Sequence, residues 1–352
     1  MSRWLDAGYR DAGWLKALRP LEWLYRAAVA KRRDAYLNGR KPVWRAPVPV
    51  IVVGNITLGG TGKSPLVAWL GRWLAEQGWR PGIVSRGYGG KAPRYPLYVG
   101  VDSLVTHSGD EPLMLAQQTG LPVVVDPDRP RGARQLIAAG CDIVISDDGL
   151  QHLALGRDIE LLVVDGERGF GNACCLPAGP LREPLSRLAE VDAVIVNGQP
   201  RQPLALSSQR MQLMQLMQLQ PARWRRLVDG VCHPAHELPF EGRVHALAGI
   251  GNPQRFFTTL ESLGVAFEAH PLPDHHRYGA KDLQFGDDRP VVMTAKDAVK
   301  CRPFADERCW ALDVEACPEP AFADWLRGRL ARLQASGFNH HNHAASSAIR
   351  GK

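Results

Sequence analysis

The 352-residue chain contains no run of about 18 consecutive apolar residues, so no segment reads as a membrane-spanning helix. It has few cysteines. The seven present (Cys141, Cys174, Cys175, Cys232, Cys301, Cys309 and Cys317) are odd in number and lack the spacing of a zinc site or a disulfide framework. A reducing compartment is therefore expected. Charged residues interrupt every apolar stretch near the N-terminus, which argues against a secretory signal. Acidic residues are scarce in one place only. Residues 1–45 carry eleven basic side chains against four acidic ones, and the remaining 307 residues sum to zero. With 45% apolar and 22% charged residues the composition is globular, and the length suits two domains. A soluble or peripheral protein with a local basic region is expected.

That basic region, residues 1–45, reads as an amphipathic helical arm. Trp14, Leu15, Leu18, Leu21, Leu24, Tyr25 and Ala28 follow helical spacing over 13–37, interrupted by Pro20. Four of the ten tryptophans (Trp4, Trp14, Trp23 and Trp44) fall in it. Basic residues with indole and leucine anchors suit a membrane interface, and they equally suit a helix packed on the body with solvated charges. Nucleic acid is not expected as a partner, because no other region extends the basic footprint. No protein partner is indicated.

From residue 46 to 198 apolar strands alternate with helical patterns. Val48–Val53 is β-branched, as in a parallel strand buried on both faces, and leads into Thr57-Leu58-Gly59-Gly60-Thr61-Gly62-Lys63-Ser64 before a helix. Strand, glycine-rich turn, Gly-Lys-Ser and helix form a phosphate-binding loop. Backbone N–H groups and the helix N-terminus surround the phosphates, Lys63 reaches the β/γ-phosphates, and the Ser64 hydroxyl binds Mg²⁺. Thr57 departs from the usual pattern, which has glycine there.

Such a site needs an acid at a neighbouring strand end to hold the metal. Cys141–Gly149 is an apolar run ending in Asp147-Asp148, preferred over Glu160–Asp165, which ends the same way. Asp110 and Glu111 open another helical pattern. They are either ordinary N-terminal charges or a carboxylate that accepts a proton from an attacking hydroxyl. Arg86, Arg129 and Arg182 each follow a strand, where anionic ligands bind in such sheets.

Residues 199–230, with a three-residue methionine and glutamine repeat, read as a low-complexity linker or insertion. Residues 231–333 read as a smaller α/β domain, and 334–352, with His340, His341 and His343, as a disordered tail that binds metal only incidentally. The expected fold is α/β: a P-loop NTPase-like doubly wound parallel sheet, a second smaller α/β domain, and the N-terminal amphipathic helix.

The ordered set of motifs resembles the tetraacyldisaccharide 4′-kinase family of lipid A synthesis. It comprises Gly54-Asn55, Gly59–Pro65, Ser85–Gly89, Gly109–Pro112, Asp147–His152, Pro177–Glu183, Gly249–Pro253, Asp274-His275 and Thr294–Lys300. The resemblance implies transfer of the ATP γ-phosphate to the 4′-hydroxyl of a tetraacylated glucosamine disaccharide 1-phosphate. It implies a site in a cleft between two α/β/α domains, at the cytoplasmic face of the inner membrane. It also implies a variant phosphate loop at Thr57, Asp110 as base and His275 assisting it, with His276 the lesser candidate. Lys63 then stabilises the transferring phosphoryl group, and Ser64, Glu111 and Asp148 are the expected Mg²⁺ ligands. Two other classes share the loop: a nucleotide-switched assembly factor or metallochaperone holding metal at Cys174-Cys175, and a non-catalytic ATP-binding module.

Overall fold

A computed structural model describes residues 3–201, 214–274 and 276–335. His275 and the tail from residue 336 onward lie outside these. The arm is α1 (Arg3–Tyr9), a 3-10 turn (Gly13–Leu18) and α2 (Arg19–Leu37), with Pro20 in the first turn of α2, where its missing N–H leaves no bond unmade.

The first half alternates β1 (Val50–Gly54), α3 (Lys63–Glu76), β2 (Pro81–Ser85), β3 (Leu97–Val99), α4 (Val105–Ser108), α5 (Asp110–Thr119), β4 (Val123–Val125), α6 (Arg129–Ala138), β5 (Ile143–Asp147), β6 (Ile159–Asp165) and β7 (Ala193–Asn197). The apolar run of β1 has no alternation because both of its faces are covered. Ile51 and Val53 enter one core, Val50 and Val52 the other.

Residues 214–226, expected within the linker, instead form β8 (Met214–Arg226), a 13-residue strand. Residues 202–213 lie outside those described. Met214 and Leu216 of β8 pack on one core, Met217 and Leu219 on the other. With apolar side chains on both faces the period-2 signal of a strand vanishes. The chain continues through β9 (Cys232–Pro234), β10 (Val244–Ala248), α7 (Pro253–Ser262), β11 (Phe267–Pro271), β12 (Val291–Thr294), α8 (Ala295–Cys301), β13 (Cys309–Pro318) and α9 (Pro320–Ala335).

The two α/β units share one 13-stranded mixed sheet, ordered β11-β10-β12-β13-β8-β7-β6-β1-β5-β2-β4-β3, with β9 on β8. β8 runs parallel to β7 and antiparallel to β13, so the two parallel sets point toward each other. β7 ends at Asn197 opposite Met217. β12 ends at Thr294 opposite Leu312, which faces Trp224. The stretch Met217–Trp224 therefore separates two C-terminal strand edges by roughly 23 Å at about 3.3 Å per residue. Ligands of open α/β sheets bind outside those edges, and here both open on one cleft. The C-terminal unit does not close on itself: α9 returns to the first half, where Phe322, Leu326 and Leu330 join the core of Leu66 and Leu70, and Trp69 lies 5.6 Å from Phe322.

Candidate active site

The loop between β1 and α3 turns at Gly62, whose φ of +93° and approach to the Asn197 amide leave no room for a side chain. Asn197, at the end of β7, donates to the Thr61 carbonyl (3.1 Å) and accepts from Arg255 of α7 (2.8 Å). The outer side of the loop is braced by the Pro177–Glu183 segment and by α1. Leu58 N–H donates to the Pro180 carbonyl (2.8 Å), and the Tyr9 hydroxyl donates to the Leu58 carbonyl (2.6 Å). Thr57 is buried and is not among the residues with positive φ, so its backbone has no need of the glycine that the usual pattern carries.

Asp147 and Asp148, adjacent at the end of β5, experience opposite environments. Asp148 adopts φ +47°, a conformation that is costly for a residue with a Cβ. It takes a two-armed contact from Arg182 (3.0 and 2.9 Å) and faces Lys63 at 3.7 Å. Burial opposes its charge, but Lys63 and Arg182 hold its carboxyl well below the usual carboxylate range. Asp147 is fully buried and accepts one bond from the Ser85 hydroxyl (3.1 Å), while its Oδ1 has no partner among the described residues. Burial first, then the Glu111 and Asp148 charges, push it up to about 7. The expected ligand Asp148 is thus already matched by two cations, whereas the buried oxygen left for a further cation belongs to Asp147.

Asp110 and Glu111 begin α5 and face Lys296 of α8. The ammonium is 3.1 Å from Glu111, 3.9 Å from Asp110 and 3.8 Å from Asp274. Burial disfavours its charge, but the three carboxylates raise its pKa above the ordinary lysine value. The Asp110 carboxylate also accepts from the Glu111 N–H (3.0 Å). His276 lies within its own half, its Nε2 3.4 Å from Asp282 but without a hydrogen-bond partner among the described residues, and its ring edge-on to Tyr278.

The cleft, of about 750 Å³, is lined from both halves: Lys63, Ser64, Asp147 and Glu111 on one side, Gly251 and Lys296 on the other. Gly251 packs against the Gly60 backbone, and its carbonyl accepts from Arg168 (3.2 Å).

Over residues 14–331 the chain matches the LpxK family, tetraacyldisaccharide-1-P 4′-kinase. The chain belongs to this family. It is 50% identical over 338 residues to the tetraacyldisaccharide 4′-kinase of Azotobacter vinelandii, covering 95% of this chain and 98% of that one. It is 54% identical over 326 residues to that of Alkalilimnicola ehrlichii, covering 91% and 93%. The crystal structure of LpxK from Aquifex aeolicus in complex with ATP aligns with a TM-score of 0.77 at 28% identity, covering 90% of this chain and 98% of that one.

The three arginines that sequence reasoning marked, Arg86, Arg129 and Arg182, all reach the cleft of this family member. Arg129 is 1% exposed. Its Nη2 donates to the Asp147 carbonyl (2.6 Å), and its Nε and Nη1 have no partner among the described residues. His152 beside it is pushed down to about 3 by burial and by the Arg129 and Arg86 charges, so it is neutral at physiological pH. Sequence reasoning missed Asn197 and Arg255, whose only signal is a polar residue at a strand end and an arginine in the first turn of a helix. Cys174 and Cys175 are both buried, and burial pushes the Cys175 thiol up to about 11, which opposes a thiolate metal site.

Proposed function

We propose that this protein transfers the γ-phosphate of ATP to the 4′-hydroxyl of a tetraacyldisaccharide 1-phosphate in lipid A biosynthesis. The supporting observation is the convergence, in one cleft, of a phosphate loop, unpaired arginine N–H groups and a carboxylate at the start of α5. In this reading the backbone N–H groups of Thr57–Gly62 cradle the phosphates and the Lys63 ammonium follows the transferring phosphoryl group. Asp110 accepts the proton of the attacking hydroxyl, and the Lys296 ammonium, 3.9 Å away, orients that carboxylate. His275 assists Asp110.

The donor set fits Mg²⁺. It offers the Ser64 hydroxyl, the Glu111 carboxylate and the unpartnered buried oxygen of Asp147, with Asp148 as a further acid. Bound there, the ion neutralises phosphate charge.

The arm serves the membrane-borne acceptor. Trp14, Leu21, Trp23 and Leu24 are exposed, while Glu22 on the opposite side is buried and accepts from the Cys175 N–H (2.9 Å). An apolar outer face flanked by Arg19, Arg26, Lys31 and Arg32 suits the interface of an anionic bilayer, here the cytoplasmic face of the inner membrane. No helix among the described residues is long and apolar enough to cross a membrane.

The test is transfer of labelled γ-phosphate to the glycolipid by wild type and Asp110→Ala. Labelling by wild type is expected, with turnover reduced about 10²–10⁴-fold in the variant and ATP binding retained. ATP hydrolysis without acceptor labelling would overturn the assignment.

A further inference from the structure

A second group of ligand atoms lies on β10 and β11, with His245 and Glu268 in the second position of their strands and His270 in the fourth of β11. His245 of β10 registers with Glu268 of β11, and His270 follows two residues along, so all three share one face of the sheet. His245 is 2% exposed; His270 and Glu268 reach the surface. The His245 Nδ1 and His270 Nε2 face each other at 3.0 Å, and Glu268 Oε1 is 3.9 Å from the same His270 nitrogen. All three ligand atoms lie within 4.8 Å of one another.

The surrounding contacts orient lone pairs inward. The Asp287 carboxylate can only accept, so the His245 Nε2–H donates to it (3.1 Å) and Nδ1 is the ring nitrogen turned to His270. Arg289 binds Asp287 (2.7 Å) and the Glu268 Oε2 (3.1 Å), leaving Oε1 turned toward the histidines. Phe285 stacks on the His245 ring at 3.9 Å and fixes its plane. A carboxylate behind a histidine and a cation behind a carboxylate are the outer contacts that metal ligands carry.

With no metal, one proton on His270 Nε2 bridges the two nitrogens. If a divalent ion replaces that bridge, the proton moves to His270 Nδ1 and both Nδ1 of His245 and Nε2 of His270 become ligands. Two imidazoles on a tetrahedral zinc ion, at 2.0–2.1 Å each, stand about 3.3 Å apart, close to the spacing already present. Two neutral imidazoles, two carboxylates and one guanidinium sum to a single negative charge, which favours a divalent cation.

We propose that His245, His270 and Glu268 bind one Zn²⁺, with the fourth position open to solvent, as a site that braces the edge of the C-terminal unit. Imidazole and carboxylate donors in this number favour zinc over magnesium or calcium.

The test is titration of the full chain with Zn²⁺ by calorimetry, paired with thermal unfolding. Wild type should bind one equivalent that His270→Gln and Glu268→Gln weaken at least tenfold. Zinc should raise the Tm of wild type and leave that of His270→Gln unmoved. His270 and Glu268 are partly exposed, so these variants are expected to fold even where a change at the buried His245 fails. The tail histidines His340, His341 and His343 remain in every protein compared. Equal zinc stoichiometry and affinity in wild type and His270→Gln would assign the ion to the tail or elsewhere and overturn the proposal.

Discussion

The Lys296 ammonium lies 3.1 Å from the Glu111 carboxylate, and this ion pair spans the cleft between two units of the sheet. Lys296 opens α8 in the C-terminal half; Glu111 opens α5 in the first. The same ammonium lies 3.9 Å from Asp110 and 3.8 Å from Asp274. Without it, three carboxylates would face one another in a partly buried site, an arrangement that raises carboxylate pKa values and drives the groups apart.

Lys296→Met is therefore expected to lower kcat/KM for phosphoryl transfer by at least tenfold with little change in ATP affinity. Lys296→Arg should recover part of the loss, because charge is kept while the point geometry of the ammonium is not. Steady-state kinetics of both variants, with ATP affinity measured separately, checks this. Equal kinetics for wild type and Lys296→Met would remove the ion pair from the chemistry.

Asp147 sets a pH dependence for the cation-free protein. Its folded pKa of about 7 lies above the unfolded carboxylate value, so the folded state holds an extra proton between about pH 4 and 7. The corresponding stability is fully present below the unfolded value and is lost as pH rises through about 7. Asp147→Asn cannot ionise, so in chelator at pH 8 it should unfold roughly 1–3 °C above wild type, with a smaller difference at pH 5. Matching unfolding curves at pH 8 would mean that folding does not raise the Asp147 pKa. Mg²⁺ should narrow the gap at pH 8 by supplying the charge that the wild-type oxygen lacks.

The arm is best tested by point changes. Tyr9 braces the phosphate loop and Trp4 donates to the Pro177 carbonyl (3.0 Å), so deletion of residues 1–36 would disturb the nucleotide site as well as the outer face. Trp23→Ser with Leu24→Ser alters exposed side chains only. This double variant should lose most sedimentation with anionic vesicles and most glycolipid phosphorylation, with ATP binding unchanged. Undiminished vesicle binding would return α2 to a purely packing role.

Local signals in the chain determine much of this protein. The strand–loop–helix around Gly62-Lys63-Ser64 was legible because its chemistry lies within one supersecondary unit. So was the carboxylate pair ending β5. The arm's helix followed from its spacing, but not the side it buries, since α2 turns Glu22 inward and leaves Leu21 and Leu24 exposed; α1 gave no separate signal and its brace on Leu58 did not show. Tertiary structure alone decided β8, since side chains covered on both faces erase the alternation by which a strand is read. It alone distinguished Asp147 from Asp148: the neighbours share a strand end, but Arg182 bonds only Asp148, and Asp147 is the one fully buried. Lys296 and Glu111, like His245 and His270, meet across separate elements. Their charges and lone pairs act over a few ångströms, and the sheet's antiparallel junction at β8 and β13 and the β10–β11 register set those distances.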